Sequence, residues 1–307
     1  MTITWHKLTC RLGVLHPTLF RVMEMPMETT PQAELEVRNL RFATDDRVPR
    51  HWHGGRRSVT TFFDNLSLFF PAGERFFIDA VKAHKHLVTD ERLLKDVAIF
   101  CAQEGIHGRE HIRYNAMLDE QGYPAVELDR KVQRILAFVR RTLPRRTRLS
   151  VTCSLEHFTA LMAEYILRDP RLLDGAHPVM RSLWRWHAAE ESEHRAVAYD
   201  VYRAARGPYA ERAVTMLVTT AIFWTLVVQH QARMMKVDGT AWSPSEWRGL
   251  FVYLFIEPGG MLGLWRRWLD YFKPSFHPWD HDSRDLLERW KAEYAETGAG
   301  AEKAVRA

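Results

Sequence analysis

Residues 186–202 read WHAAEESEHRAVAYDVY. His187, Glu190, Glu191, Glu193 and His194 fall within eight positions, with Trp, Ala, Val and Tyr around them. A solvated helix face mixes lysines and arginines among its acids, and a core carries few ionisable groups. The stretch therefore reads as a helix built around a site. It contains Glu191-Ser-Glu-His194, and Glu and His three apart project from one helix face. One helix can thus offer a carboxylate and an imidazole to a single ion.

A second Glu-x-x-His lies in CAQEGIHGREH, at Glu104 and His107. About one such motif is expected by chance from the Glu and His content, so the context decides. Two such helices supply two ions. A bridged pair then needs one further carboxylate from each of two other helices, the ligand set of carboxylate-bridged di-iron bundles. Glu74 precedes the first motif and Glu156 the second, in the required order. Height provides an independent test. At ~1.5 Å rise per residue, Glu74 and Glu104 both stand roughly 21–24 Å from a turn near Leu87–Thr89. Glu156 and Glu191 both stand roughly 20 Å from a turn across Asp169–His177 on the same rise. All four helices can therefore present ligands at one level.

Outward from these motifs the chain reads as helical from Pro71 onward. Helices are expected over Gly73–His86, from a cap at Thr89 or Asp90 to about Leu118, over Val126–Leu143, over Arg148–Leu167 and from Pro178 to about Ala205. The long connection Asp119–Arg148 would be a crossover between two hairpins. Residues 1–60 read as an irregular segment with a short strand at Ala33–Phe42, 61–295 as one helical metal-binding domain, and 296–307 as an unstructured tail. The fold class is all-α: a ferritin-like four-helix bundle with a long crossover and additional C-terminal apolar helices.

Of 307 residues 46% are hydrophobic, and the formal charge is +5. The Arg140–Arg148 run (RRTLPRRTR) is the only dense basic stretch, a solvated helix end or a contact for acidic lipid or an acidic partner. No nucleic-acid motif is present. Cys10, Cys101 and Cys153 have no paired spacing, and the latter two fit reduced thiols packed as small hydrophobes. The first residues lack the apolar run of a signal peptide, so a cytoplasmic, partly membrane-associated protein is expected. Ala213–Gln229 carries no charge, and Gly249–Leu264 is nearly as apolar. They read as core helices, as walls for a greasy substrate, or as peripheral membrane contacts.

Four buried carboxylates without partners would cost many kcal/mol, so they must be protonated, paired or neutralised by cations. Two divalent ions against four carboxylates and two neutral imidazoles bring the charge near zero. The metal ligands are thus read as Glu74, Glu104, His107, Glu156, Glu191 and His194. Glu190 is placed behind His107 as its orienting carboxylate. His111 and His187, one turn from the motif residues, are read as acid/base groups on the substrate side or further imidazole ligands. Glu110 and Glu193 are read as solvated ion-pair partners of arginines. His51, His53, His277 and His281 fall in loops and are assigned to turns and caps.

At these residues the sequence resembles the ferritin-like di-iron carboxylate superfamily. LSLFFPAGERFF, QEGIHGREHIRYN, WHAAEESEHRAVAYDVY and FHPWDHD resemble more closely a bacterial family of predicted metal-dependent hydrolases, over roughly residues 45–290. The first resemblance implies two iron ions, with manganese or zinc also suited, and O2-dependent oxidation of a hydrophobic small molecule with an unidentified electron donor. The second implies hydrolysis by a dimetal-activated water; because the donor set is similar to oxygen-activating centres, oxidation is the expected reaction and hydrolysis the alternative. A homodimer is compatible with both.

Overall fold

The computed structural model describes residues 33–305 apart from Asp46, with side chains to Glu296. Cys10 and the first part of the irregular segment lie outside the described residues. The chain is all-α, and no strand occurs among the described residues. An isolated bridge joins His53 to Ala176.

Helix α1 (Arg57–Ser67) leads into α2 (Phe70–Lys82), and a short 3-10 turn connects α2 to α3 (Glu91–Glu120). Pro71 sits in the first turn of α2, where its missing N–H costs nothing. Asp90 caps α3 by accepting from the Leu93 N–H, a contribution of about 1 kcal/mol. Helix α4 (Ala125–Thr142) crosses over to α5 (Arg145–Arg168), and a 3-10 turn starting at Pro170 leads into α6 (Pro178–Glu193). Helices α7 (Val197–Ala204), α8 (Tyr209–Val237), α9 (Pro244–Phe255), α10 (Met261–Asp270) and α11 (Arg284–Val305) follow. The principal pairings are α2 with α3 and α5 with α6, and α2 also packs on α5. Phe76, Phe100, Leu149 and Val201 fill the space between these pairs. Each such fully buried side chain contributes about 1.5–3 kcal/mol.

Several expectations are corrected. Ala33–Phe42 forms no strand, because its polar backbone groups go to side chains: the Glu36 N–H donates to Glu193 and the Phe42 N–H to Glu110. Helix α1 begins inside the segment read as irregular. Its Val59, Phe62, Phe63 and Leu66 fall at helical spacing, but the stretch is short and its polar residues are buried with them. The helix from Pro178 does not reach Ala205. It stops at Glu193 and restarts at Val197, with His194 as its C-cap. The break accompanies Arg195, whose buried guanidinium turns away to reach Ser192 O, His281 O and Ser283 Oγ. The tail from 296 continues α11 to Val305, as its Ala, Glu and Lys content favours.

The apolar stretch 213–229 is one part of α8, which is long and apolar enough to cross a membrane by length and composition. Only 28% of its apolar window is buried, so it is not a core helix. The second apolar stretch is divided between α9 and α10 at Ile256–Gly260. Cys153 is buried and Cys101 half-buried, both as free thiols.

Candidate metal centre

Helix α2 supplies Glu74, α3 supplies Glu104, His107 and His111, α5 supplies Glu156, and α6 supplies His187, Glu190 and Glu191, with His194 at its end. All are at most 2% exposed. The structure thus brings together every residue assigned to the site from sequence. Donor atoms of Glu104, His107, Glu191 and His194 lie within 4.8 Å of one another. A second set, Glu74, His111 and His187, meets the same limit. Glu156 belongs to neither set, but its Oε2 is 3.2 Å from His194 Nδ1. The two sets are joined where His187 Nε2 lies 2.9 Å from Glu191 Oε1. His111 and His187 therefore stand among the donors rather than on a separate substrate side.

The outer groups fix the imidazoles. His107 Nε2 lies 3.0 Å from Glu190 Oε2, as the sequence reading placed it. Glu190 Oε1 accepts from Trp186 Nε1 at 3.0 Å and Arg38 Nη1 at 3.4 Å. With the His107 proton on Nε2, its Nδ1 lone pair faces inward. For His111 the tautomer follows from Asn115. The Asn115 amide donates to Ser67 O, so its Oδ1 accepts from the Ser67 hydroxyl at 2.7 Å. Ser67 has no second proton, so it accepts from His111 Nδ1–H at 2.8 Å. His111 Nε2 then carries a lone pair and accepts from His187 Nδ1–H at 2.7 Å. His187 Nε2, facing Glu191 Oε1, needs either a second proton or a cation between them.

Burial pushes the carboxyls of Glu74 and Glu104 well above the usual range, and the neighbouring Glu charges add to it. Burial also lifts Glu156 to about 7, against the pull of His194. Burial holds His107 and His111 well below the ordinary imidazole value, with His187 adding to the effect, which leaves them neutral. Glu191 is the exception. Burial would raise it, but His194, His187 and His107 outweigh that and bring it down to about 2. His194 is raised despite its burial, by Glu191, Glu156 and Glu104.

The donors fit a metal. Eight buried atoms in these residues have no hydrogen-bond partner: both oxygens of Glu74 and of Glu104, Glu156 Oε1, Glu191 Oε2, His107 Nδ1 and His194 Nε2. Glu104 Oε1 and His194 Nε2 approach to 3.1 Å, but off the line of a hydrogen bond. Buried polar atoms are otherwise almost always satisfied. Their clustering here, on two imidazoles and four carboxylates, is the donor chemistry of hard and borderline divalent cations. Gly108 completes the close fit: a Cβ there would meet Glu74 Oε2 at 3.0 Å.

Glu193 and Glu110 form ion pairs as expected, but they are buried rather than solvated. Arg38 grips both Glu193 oxygens, at 2.8 and 3.1 Å, and Gln103 Nε2 adds a third donor. Glu110 pairs with Arg109 at 2.7 Å. Arg38, Ser67 and Trp186 were not singled out from sequence, since no local pattern marks them. The loop histidines have structural partners: His53 reaches Leu172 O, His277 caps the turn at Pro278, and His281 meets Asp270.

A cleft of about 330 Å³ runs beside the site, at the lower end of small-molecule pockets. Its floor is α2 and α5, including Gly73 and Leu155, the neighbours of Glu74 and Glu156. Phe70 forms part of its wall, with its ring 4.5 Å from His111 and 4.4 Å from His187. Val214, Val218 and Ile222 of α8 form another wall, and α9 and α10 do not line it.

No curated protein and no solved structure matches the chain. A family model described as "Predicted metal-dependent hydrolase" matches residues 36–282, a span that includes every donor above and both Arg38 and Ser67. The chain belongs to this family of predicted metal-dependent hydrolases.

Proposed function

We propose that the chain is a dinuclear metal hydrolase acting on an ester or amide with an apolar chain. The observation that carries this is the set of eight unpartnered donor atoms converging beside an apolar cleft. Glu104, His107, Glu191 and His194 would hold one ion, and Glu74, His111 and His187 the other, with Glu156 within reach of the first. Two divalent cations there would lower the pKa of a bound water and polarise a carbonyl.

The chain's own contributions follow from the geometry. Glu190 and Ser67 hold His107 and His111 in the tautomers that turn a lone pair inward. Arg38 and Trp186 hold Glu190 in turn. Phe70, Phe77 and Leu155 line the approach with hydrocarbon, which excludes water and favours an apolar substrate chain. Family membership supports hydrolysis over other uses of the centre.

A second reading, O2-dependent oxidation of the same kind of substrate, is favoured by one observation. Two helices each give Glu-x-x-His and two give single Glu residues, an arrangement suited to iron and to redox change. That reading requires an electron donor as well.

Purified protein should carry two divalent ions per chain by elemental analysis. It should cleave a medium-chain nitrophenyl ester under anaerobic conditions, with activity lost on chelation and restored by metal. Turnover only in the presence of oxygen would overturn hydrolysis in favour of oxidation. Native protein that takes up no metal would overturn both.

A further inference from the structure

Helix α8 presents an unusual outer surface. Val214, Leu217, Val218, Ile222 and Val228 are 46–61% exposed, a stripe at helical spacing that stays open to solvent. Contiguous exposed apolar surface of this kind marks an interaction site. Helix α4 lines the cleft through Ile135 and Val139, and its Phe138, next to Val139, is 65% exposed. Helix α10 meets α8 where Trp268 Nε1 donates to Thr220 Oγ1 at 3.0 Å, and it exposes Trp265 and Leu269.

Two further features point to what covers this face. Val214, Val218 and Ile222 belong both to the outer stripe and to the cleft wall, so the apolar surface runs unbroken into the cleft. The basic run Arg140–Arg148 lies at the same mouth, since Leu143 and Thr147 within it line the cleft. Arg140 and Arg146 are committed to Asp79 and Glu211. Arg141 and Arg145 are exposed, and among the described residues neither has a carboxylate within ion-pair reach. An apolar stripe with tryptophan beside it and unpaired arginines at its rim matches an anionic bilayer surface, apolar below and phosphate-lined above.

We propose that the α4–α8 face docks on an anionic phospholipid surface, with the cleft mouth turned to the bilayer so that apolar chains pass directly into the cleft. Only the passage of a substrate chain rests on the proposed reaction. Docking is read without turnover, so the two can fail separately.

The test is co-sedimentation of the full chain with vesicles of phosphatidylcholine alone and of phosphatidylcholine containing phosphatidylserine. Partition into the serine-containing vesicles is expected, weakening with salt. At about 1 kcal/mol per basic residue, Arg141→Gln with Arg145→Gln should lower partition at least tenfold. Phe138→Asp should lower it too, and the exposed position leaves the fold intact. Metal content, measured on the same samples, should not change. Absence of partition, or partition indifferent to the arginines, would overturn the proposal. So would a two-chain mass in solution that Phe138→Asp returns to one, which would give the face to a second copy.

Discussion

His107 Nε2 and Glu190 Oε2 lie 3.0 Å apart, while Nδ1 on the opposite edge of the same imidazole has no hydrogen-bond partner. A ring held from one side with a free lone pair on the other has the form of a metal ligand. Removing such an orienting carboxylate typically lowers metal affinity 10–100-fold. Glu190→Ala should therefore weaken binding of the ion assigned to Glu104, His107, Glu191 and His194 by about that factor, read by competition with a chelating dye. Glu190→Gln, which still accepts from the imidazole, should lose less.

Glu193 lies three residues further on and is opposite in role. Its oxygens are taken by Arg38, Gln103 and Lys291, and none points to the donor cluster without a partner. Glu193→Ala leaves Arg38 buried with only Glu190 and exposed Glu36 beside it. Breaking a buried pair from one side costs about 3–5 kcal/mol. The variant should lose stability of that order in urea unfolding yet bind two ions when folded, whereas Glu104→Ala or His194→Ala should lose at least one ion.

Asp64 offers a pH signature away from the donors. It accepts from Trp52 Nε1 at 2.8 Å and Tyr114 OH at 2.5 Å, while its Oδ2 is unpartnered. Burial pushes its carboxyl up to about 7, against the pull of those two hydrogen bonds. A folded-state pKa above the unfolded value favours the fold while the group is protonated, so the contribution is whole below about pH 4 and lost as pH rises through about 7. Asp64→Asn should remove this slope: between about pH 5 and about pH 9 the variant's thermal midpoint should fall less than that of the parent chain.

What was legible in the sequence was whatever is local. Glu-x-x-His spacing, helix phase and the matched distances from two turns are properties of short stretches, and they pointed to the helices and to the nine side chains that the structure buries together. The crossover, which the ligand order demands, emerges as α4. What escaped depends on distant chain coming together. Nothing around Arg38 foretells its grip on Glu193, 155 positions away. Ser67 looks like an ordinary helix end until His111 is placed on it. The break at His194 was hidden because Glu-x-x-His suggests a continuous helix, whereas Arg195 is drawn out of line by acceptors near α11. The depth of Glu110 and Glu193 escaped for the same reason, since their arginine partners made them look like surface groups.

Gly108 separates metal binding from folding. It sits on α3 one residue past His107, and a Cβ there would come within 3.0 Å of Glu74 Oε2, tight enough to push that carboxylate aside. Gly105, on the same helix, has nothing within 4 Å of the equivalent position. Ala in place of a helical Gly gains about 1 kcal/mol from backbone entropy at either site. Gly105→Ala should therefore raise the unfolding midpoint and keep both ions. Gly108→Ala should fold equally well, yet lose affinity for the ion assigned to Glu74, His111 and His187, since one of its three donors is displaced. Elemental analysis of the two variants side by side makes the comparison. Equal metal content and equal affinity in both would mean that the Glu74 carboxylate yields to the new methyl without loss of the second ion.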